Sequence, residues 1–162
     1  MRSKHIHEFE RYRRRLPHWE EPGATYFLTA TLHDRQLCDL STPVLAQVII
    51  VALRHFDGSR YDLYDYVVMP DHIHFILRIP VKDGCSEALS QITHSLYRWM
   101  ARRINEVLGR VGQLWQHENH DHIVRNREDF EEKARYIYNN PYTAGIVGDS
   151  GEWPWWGRGS GQ

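Results

Sequence analysis

The sequence predicts an α+β fold, an antiparallel sheet of four to five strands with helices packed on it. Three observations lead there. Runs rich in aromatic, β-branched and aliphatic residues stand at 24–32, 60–68 and 72–79, each of strand length and bounded by turn formers. The second and third are separated only by Met69-Pro70-Asp71, a connection that suits a hairpin and is too short for a parallel crossover. Apolar residues at helical spacing fill 43–56, 86–108 and 127–140, between and after those runs. One domain accounts for all of it, since 162 residues can bury roughly 70% of the unfolded surface without staples.

The first strand is Ala24 to Leu32, which sets Tyr26, Leu28, Ala30 and Leu32 on one face. Ser41-Thr42-Pro43 supplies a cap followed by proline at the first helical position. That opens a helix through Val44, Val48, Val51, Ala52 and Phe56, stopped by Asp57-Gly58-Ser59. Arg60 to Val68 is the second strand and His72 to Ile79 the third. Ser86 then leads into a long amphipathic helix carrying Leu89, Ile92, Thr93, Leu96, Trp99, Met100, Ile104, Val107 and Leu108 and ended by Gly109. His94, Arg98, Arg102 and Asn105 fall on its wet side. A fourth strand is expected near Asp121 to Val124. Arg127 to Asn140 is the last helix, with acids in its first turn, a stripe of Phe130, Ala134, Ile137 and Tyr138, and a stop at Pro141. Trp153, Trp155 and Trp156 among glycines and prolines predict an irregular or frayed tail. The resulting division is a basic arm at 1–18, a domain at 19–148 and a Trp/Gly-rich tail at 149–162.

Composition narrows the function classes. The net charge is only −1, but Arg2, Lys4, Arg11, Arg13, Arg14 and Arg15 crowd the first residues against Glu8 and Glu10. Such an arm either touches phosphates or is a solvated tail. Cys38 and Cys85 form no CxxC pair, so neither a disulfide framework nor a zinc ribbon is indicated, and a reducing cytoplasm fits. No apolar run is long enough to span a bilayer and the N-terminus has no signal-peptide core, so a cytoplasmic protein without membrane contact is expected.

The chemistry concentrates in Tyr66 to Pro80, YVVMPDHIHFILRIP. On a strand Ile73, Phe75, Leu77 and Ile79 point one way and His72, His74, Ile76 and Arg78 the other. Two imidazoles at i and i+2 lie about 7 Å apart at Cα, from roughly 3.3 Å rise per residue, and can close on one cation. An unremarkable pair of half-exposed strand histidines is the competing reading. On the final helix Tyr136, Asn140 and Lys133 share a face beside the apolar stripe. A phenol ordinarily titrates near 10 (about) and needs help as a nucleophile at neutral pH, help that a divalent cation polarising a phosphate supplies. His72, His74 and the amide oxygen of Asn140 would give that cation three ligands, a set compatible with Mn²⁺, Zn²⁺ or Mg²⁺.

In combination these pieces resemble the HUH single-tyrosine transposases of the IS200 type, and within them the REP-associated tyrosine transposases of bacteria. The matching segments are MPDHIHFIL at Met69 to Leu77, the Trp115 to Arg125 segment with its DHIVR, and YIYNNPYTAGIV at Tyr136 to Val147. With the first strand they cover about Trp19 to Trp156. The resemblance implies a ferredoxin-like or RRM-like HUH endonuclease fold. It implies His72 and His74 as metal ligands, Asn140 completing the site around Mg²⁺ or Mn²⁺, and Tyr136 attacking a single-stranded DNA phosphodiester to leave a 5′-phosphotyrosine and a free 3′-hydroxyl. It implies single-stranded or hairpin DNA of REP-like repeats as partner, a monomer or homodimer, and association with the nucleoid. The family's Asn-Pro-Val-Arg-Ala-Gly run is Asn140-Pro141-Tyr142-Thr143-Ala144-Gly145 here, so Thr143 brings no basic contact.

Other candidates surround this set. His117, His120 and His122 could chelate a second metal but fit a polar loop better. His122 and Arg125 are candidates to approach DNA, as are Arg13, Arg14 and Arg15. Arg98 and Arg102 are a solvated face or a phosphate clamp. Tyr64 and Trp115 could stack on bases, though core packing is expected of them. Two rival functions remain, a non-catalytic DNA binder or repressor of the same repeats, and a metallohydrolase in which water attacks.

Overall fold

The computed structural model describes residues 23–149 and 151–161. Among them five strands form one antiparallel sheet and three helices flank it. The strands are β1 (Gly23–Thr31), β2 (Asp62–Val68), β3 (His72–Pro80), β4 (His120–Val124) and β5 (Trp156–Arg158); the helices are α1 (Pro43–His55), α2 (Leu89–Leu108) and α3 (Arg127–Thr143). Spatial order is β4-β1-β3-β2-β5. The α+β expectation holds, with the upper strand count.

The sheet has two cores because β1, β2 and β3 alternate apolar residues on both faces. Leu28, Ala30, Ile73, Phe75 and Leu77 meet α1 and α2 on one side, through Leu45, Ile49, Leu53, Ile92, Leu96, Met100 and Ile104. Val67, Ile76 and Tyr64 meet α3 on the other, through Phe130, Ala134 and Ile137. In α1 the buried face is Leu45, Ala46, Ile49, Ala52 and Leu53, while Val44 and Val51 are exposed. The helix is apolar nearly all round, so its inward side could not be chosen from spacing alone.

Three local expectations need correction. Thr42 precedes α1 as predicted but makes no side-chain cap, its hydroxyl donating instead to the Asp39 carbonyl at 3.0 Å. Pro141 does not stop α3, which runs on to Thr143. So near the helix end the proline forfeits one backbone bond, and its buried ring gives packing in exchange. The described residues after Gly148 are packed rather than frayed. Their strand β5 pairs with β2, Asp65 opposite Arg158 and Val67 opposite Trp156, while Trp155 packs on the first core and Trp153 and Trp156 on the second. Glycine makes this possible: a Cβ at Gly157 would run into the Tyr66 ring, and one at Gly159 into Leu63 and Asp57.

Candidate active site

Strand alternation turns His72, His74, Ile76 and Arg78 away from the first core, onto the α3 side of the sheet. The β1–β3 register sets Thr31 opposite His72, Thr29 opposite His74, Phe27 opposite Ile76 and Thr25 opposite Arg78. His72 stands at the mouth of the hairpin and is half-buried. His74, one pair further in, is 5% exposed. Their ring centroids are 4.6 Å apart. The turn between β2 and β3 is held from outside the hairpin, where Leu32 N–H donates to the Asp71 carbonyl at 2.9 Å and Leu40 N–H to that of Pro70 at 2.8 Å.

Each ring is oriented through Nδ1. His72 Nδ1 lies 2.6 Å from Asp71 Oδ1, and a carboxylate only accepts, so the ring donates there. His74 Nδ1 lies 2.7 Å from Thr29 Oγ1; with its proton on Nδ1 the second ring does likewise. Asp71 also accepts from Arg35 Nη1 at 2.5 Å. Burial by itself raises the Asp71 carboxyl, but the hydrogen bonds from His72 and Arg35 outweigh it and hold the group below its usual range. Burial, and after it the charge of His72, pushes His74 from 6.5 down to about 3, with Asp71 pulling the other way. His74 is therefore neutral at physiological pH, the state in which imidazole ligates metals.

Helix α3 roofs the pair. Its start is fixed by Asn126, whose side-chain oxygen accepts the Asp129 N–H at 2.9 Å, and its rotation by the buried stripe of Phe130, Ala134 and Ile137. That rotation puts Tyr136 over the sheet with its ring 5.2 Å from His74 and 5.9 Å from Phe27. Tyr136 remains 51% exposed, so solvent and a substrate reach its hydroxyl. Lys133 Nζ lies 5.8 Å from the centre of the Phe27 ring. Together they border a cleft of about 560 Å³ whose lining also includes Arg35, Gln116, His120 and Glu132.

Of the residues singled out in the sequence, the structure brings together His72, His74 and Tyr136, with Lys133 beside them. Asn140 stands one turn beyond Tyr136, half-buried in α3, and is not among the residues lining the cleft; Glu132 and Gln116 are. His122 bonds Asp129 at 2.9 Å, and the Arg125 N–H donates to the same carboxylate at 3.2 Å. Arg98 and Arg102 belong to α2, across the sheet from the cleft, where Arg102 pairs with Glu106 at 3.2 Å. Tyr64 and Trp115 are core residues. Arg13, Arg14 and Arg15 lie outside the described residues. Sequence reasoning missed Thr29, Arg35, Gln116 and Glu132, and offers His120 only as a polar-loop residue or second-metal ligand, not as part of this cleft. For Thr29 the only available signal was strand register, which no spacing within β3 reveals.

The donor set fits a divalent cation. The buried Nε2 of His74 has no hydrogen-bond partner among the described residues. Unpaired buried polar atoms are rare, and a cation would use that lone pair. The carboxylate behind His72 and the hydroxyl behind His74 are the outer partners that metal-binding imidazoles require. Among the described residues no group of three or more His, Cys, Asp or Glu could hold a metal. Further ligands to a cation at the pair would therefore be amide oxygens, solvent or the substrate itself.

Comparison with known proteins bears on this geometry. The sequence model of the family described as "Transposase IS200 like" matches residues 34–149. The REP-associated tyrosine transposase of Escherichia coli K12 is 28% identical over 134 residues, covering 82% of this chain and 74% of the relative. A solved REP-associated tyrosine transposase bound to a REP hairpin superposes with a TM-score of 0.64 at 25% identity, covering 88% of this chain and 78% of the other. A crystal structure from Deinococcus radiodurans shares the fold, with a TM-score of 0.52 at 19% identity over 73% of this chain and 91% of that one.

Proposed function

The chain belongs to the IS200-like transposase family, and from that premise we propose that it cleaves and rejoins hairpin-forming single-stranded DNA of REP-like repeats through a 5′-phosphotyrosine intermediate, with a divalent cation. What carries this reading is one juxtaposition: a solvent-reachable phenol on α3 stacked edge-on at 5.2 Å against a neutral, buried histidine with an unpaired Nε2.

His72 and His74 would hold the cation, Mg²⁺ or Mn²⁺, with Asn140 as the further protein ligand that kinship suggests. When bound, the cation polarises a phosphate oxygen and so lowers the barrier to attack by a weak nucleophile. The chain's own groups do the rest. Tyr136 Oη forms a bond to phosphorus as its proton passes to solvent. The bond from phosphorus to the 3′ oxygen breaks, and that oxygen leaves as a hydroxyl after taking up a proton. Lys133 places a positive charge beside the reacting phosphate, a role for which a compact ammonium suffices. Thr29 and Asp71 keep both rings in register. Reversal with another 3′-hydroxyl reseals the strand. The relative bound to a REP hairpin supports hairpin DNA as the partner.

The test is to incubate the protein with labelled hairpin DNA and Mn²⁺ and to look for a denaturant-stable adduct. Tyr136→Phe and chelation by EDTA should each reduce the adduct to background, while Tyr136→Phe keeps hairpin affinity within about threefold, since contacts to phosphates and shape persist. Cleavage that survives in Tyr136→Phe with free 5′-phosphate ends would refute the nucleophile and favour attack by water. A mobility shift from the wild type with no adduct under any divalent ion would leave a binder only.

A further inference from the structure

Among the described residues three histidines line the cleft, His72, His74 and His120, and they are held differently. His72 and His74 are each fixed through Nδ1, by Asp71 and Thr29. His120 opens the edge strand β4 and is exposed, and its ring makes no hydrogen bond to another described residue. The register lines it up with the pair, because Thr29 stands opposite His74 on one side and opposite His120 on the other. Residues directly opposite in antiparallel strands share a face, so His74, Thr29 and His120 form one row across β3, β1 and β4. Two strand spacings, about 10 Å, separate the ends of that row. His120 is thus clear of the cation's ligands, yet a phosphodiester seated at the pair extends toward it.

Cleavage by Tyr136 leaves one proton without a source. The departing 3′ oxygen is an alkoxide, a poor leaving group, unless it is protonated as its bond to phosphorus breaks. Attacking and leaving oxygens lie on opposite sides of phosphorus in an in-line displacement, so the group that serves the leaving oxygen must border the cleft from another element than Tyr136. Tyr136 enters from α3, which packs on β2 and β3; His120 enters from β4, beyond β1. The other charged groups of the lining are placed for different work. Arg35 bonds Asp71, and a guanidinium does not release its proton. Glu132 and Lys133 lie within one turn of Tyr136, on the attacking side, and pair with each other at 3.3 Å. Asp121 follows His120 but alternates to the other face, opposite Leu28 of the first core, and His117 and Glu118 line the neighbouring space at the sheet edge. Imidazole is the side chain best suited to give and take a proton near neutral pH.

We propose that His120 is the proton carrier for the 3′ oxygen, giving it a proton when the strand is cut and taking one back when the strand is resealed. The inference rests on the DNA-cleaving function proposed above and adds a residue to it. In cleavage the bond from Tyr136 Oη to phosphorus forms, the bond from phosphorus to the 3′ oxygen breaks, and the imidazolium proton of His120 passes to that oxygen, leaving neutral imidazole and a 3′-hydroxyl. In resealing the neutral ring accepts the proton of the incoming 3′-hydroxyl as it attacks the phosphotyrosine, and the phenolate that departs is reprotonated from solvent. The ring needs freedom to turn toward the oxygen, and an exposed imidazole at a strand edge has it.

The experiment uses a strand whose leaving group needs no proton, hairpin DNA with sulfur in place of the bridging 3′ oxygen at the cleaved position. A thiolate departs unprotonated, since thiols ordinarily ionise near about 8.5. Adduct formation is timed in single turnover with the full chain, saturating protein and Mn²⁺, for wild type, His120→Ala and His120→Gln. On ordinary DNA both variants should be slowed about 100- to 10,000-fold, and on the sulfur-substituted strand they should stay within about threefold of wild type. Resealing of the adduct by a free 3′-hydroxyl should slow by a similar factor. The position is exposed, so both variants are expected to fold, and circular dichroism checks this. Equal slowing on the two substrates overturns the proposal, because lost packing or a displaced cation would act on both alike. An unchanged rate on ordinary DNA, or unimpaired resealing, overturns it as well and leaves the Tyr136 reading standing. Failure of wild type to form an adduct on ordinary DNA overturns both.

Discussion

The outer partners of the histidines are the residues most worth testing singly. Thr29 and Asp71 are not expected to touch substrate, yet each fixes one imidazole through Nδ1. Removing such a partner typically lowers metal affinity about 10- to 100-fold. Thr29→Val and Asp71→Asn should therefore weaken Mn²⁺ binding by that order in isothermal titration, with circular dichroism unchanged; affinities equal to wild type would mean that packing alone orients the rings. His74 makes a prediction about pH. Its folded-state value, about 3, lies below the 6.5 of a free imidazole. Between these two values the unfolded chain binds a proton that the folded chain refuses. Stability from this group is thus fully present above about pH 6.5 and drains away as pH falls toward 3. Urea denaturation at pH 7 and pH 5 should show wild type losing more stability than His74→Phe over that interval, and equal losses would show that the buried ring titrates normally.

At the scale of elements, the position of α3 decides whether a phenol meets the histidines, and two features set it. Asn126 starts the helix and the Phe130, Ala134 and Ile137 stripe rotates it. The stripe and a helix start at Arg127 are legible in the amino-acid order; the Asn126 cap is supplied by the structure. The passage of α3 through Pro141 was not legible, because a proline in the last turn is judged by what its ring packs on, and that depends on the neighbouring strands. The same holds for β5. Gly157 within it and Gly159 just after it resemble a linker in sequence, but a Cβ there would run into Tyr66 or Leu63. Gly159→Ala should cost about 1–3 kcal/mol by overpacking, seen as a lower urea midpoint. A midpoint unchanged from wild type would show that the edge strand yields without resistance.

On the scale of the whole molecule, the sheet divides labour. One face is closed by α1 and α2 and is mostly core; the other carries the histidines beneath α3. The C-terminal segment spans this division, with Trp155 against the first core and Trp153 and Trp156 against the second, and Asp57 fastening it through the Ser160 N–H and hydroxyl, both at 2.7 Å. A chain cut before Trp153 should lose about 3–6 kcal/mol, from roughly 1.5–3 kcal/mol per large side chain fully buried and allowing for partial burial here. That is a large share of a typical stability of about 5–15 kcal/mol. Denaturant unfolding of the truncated chain measures it, and a loss under 1 kcal/mol, about a factor of five in the folding equilibrium, would make the segment an ornament.

By itself the order of amino acids determined β1 to β4, the hairpin, the helices and the pairing of His72 with His74 on one side of β3. These follow from periodicity, which is local. It also singled out Tyr136, through its place beside an apolar stripe and its likeness to a known pattern. What only the tertiary structure decided is which groups stand behind those three. Thr29 reaches His74 across a strand pair 45 residues apart in the chain, Arg35 reaches Asp71 from a loop, and His120 joins the cleft from the edge strand β4. Contacts of that kind depend on register and helix rotation, which are fixed by the joint packing of both cores and leave no trace in the spacing of any single segment.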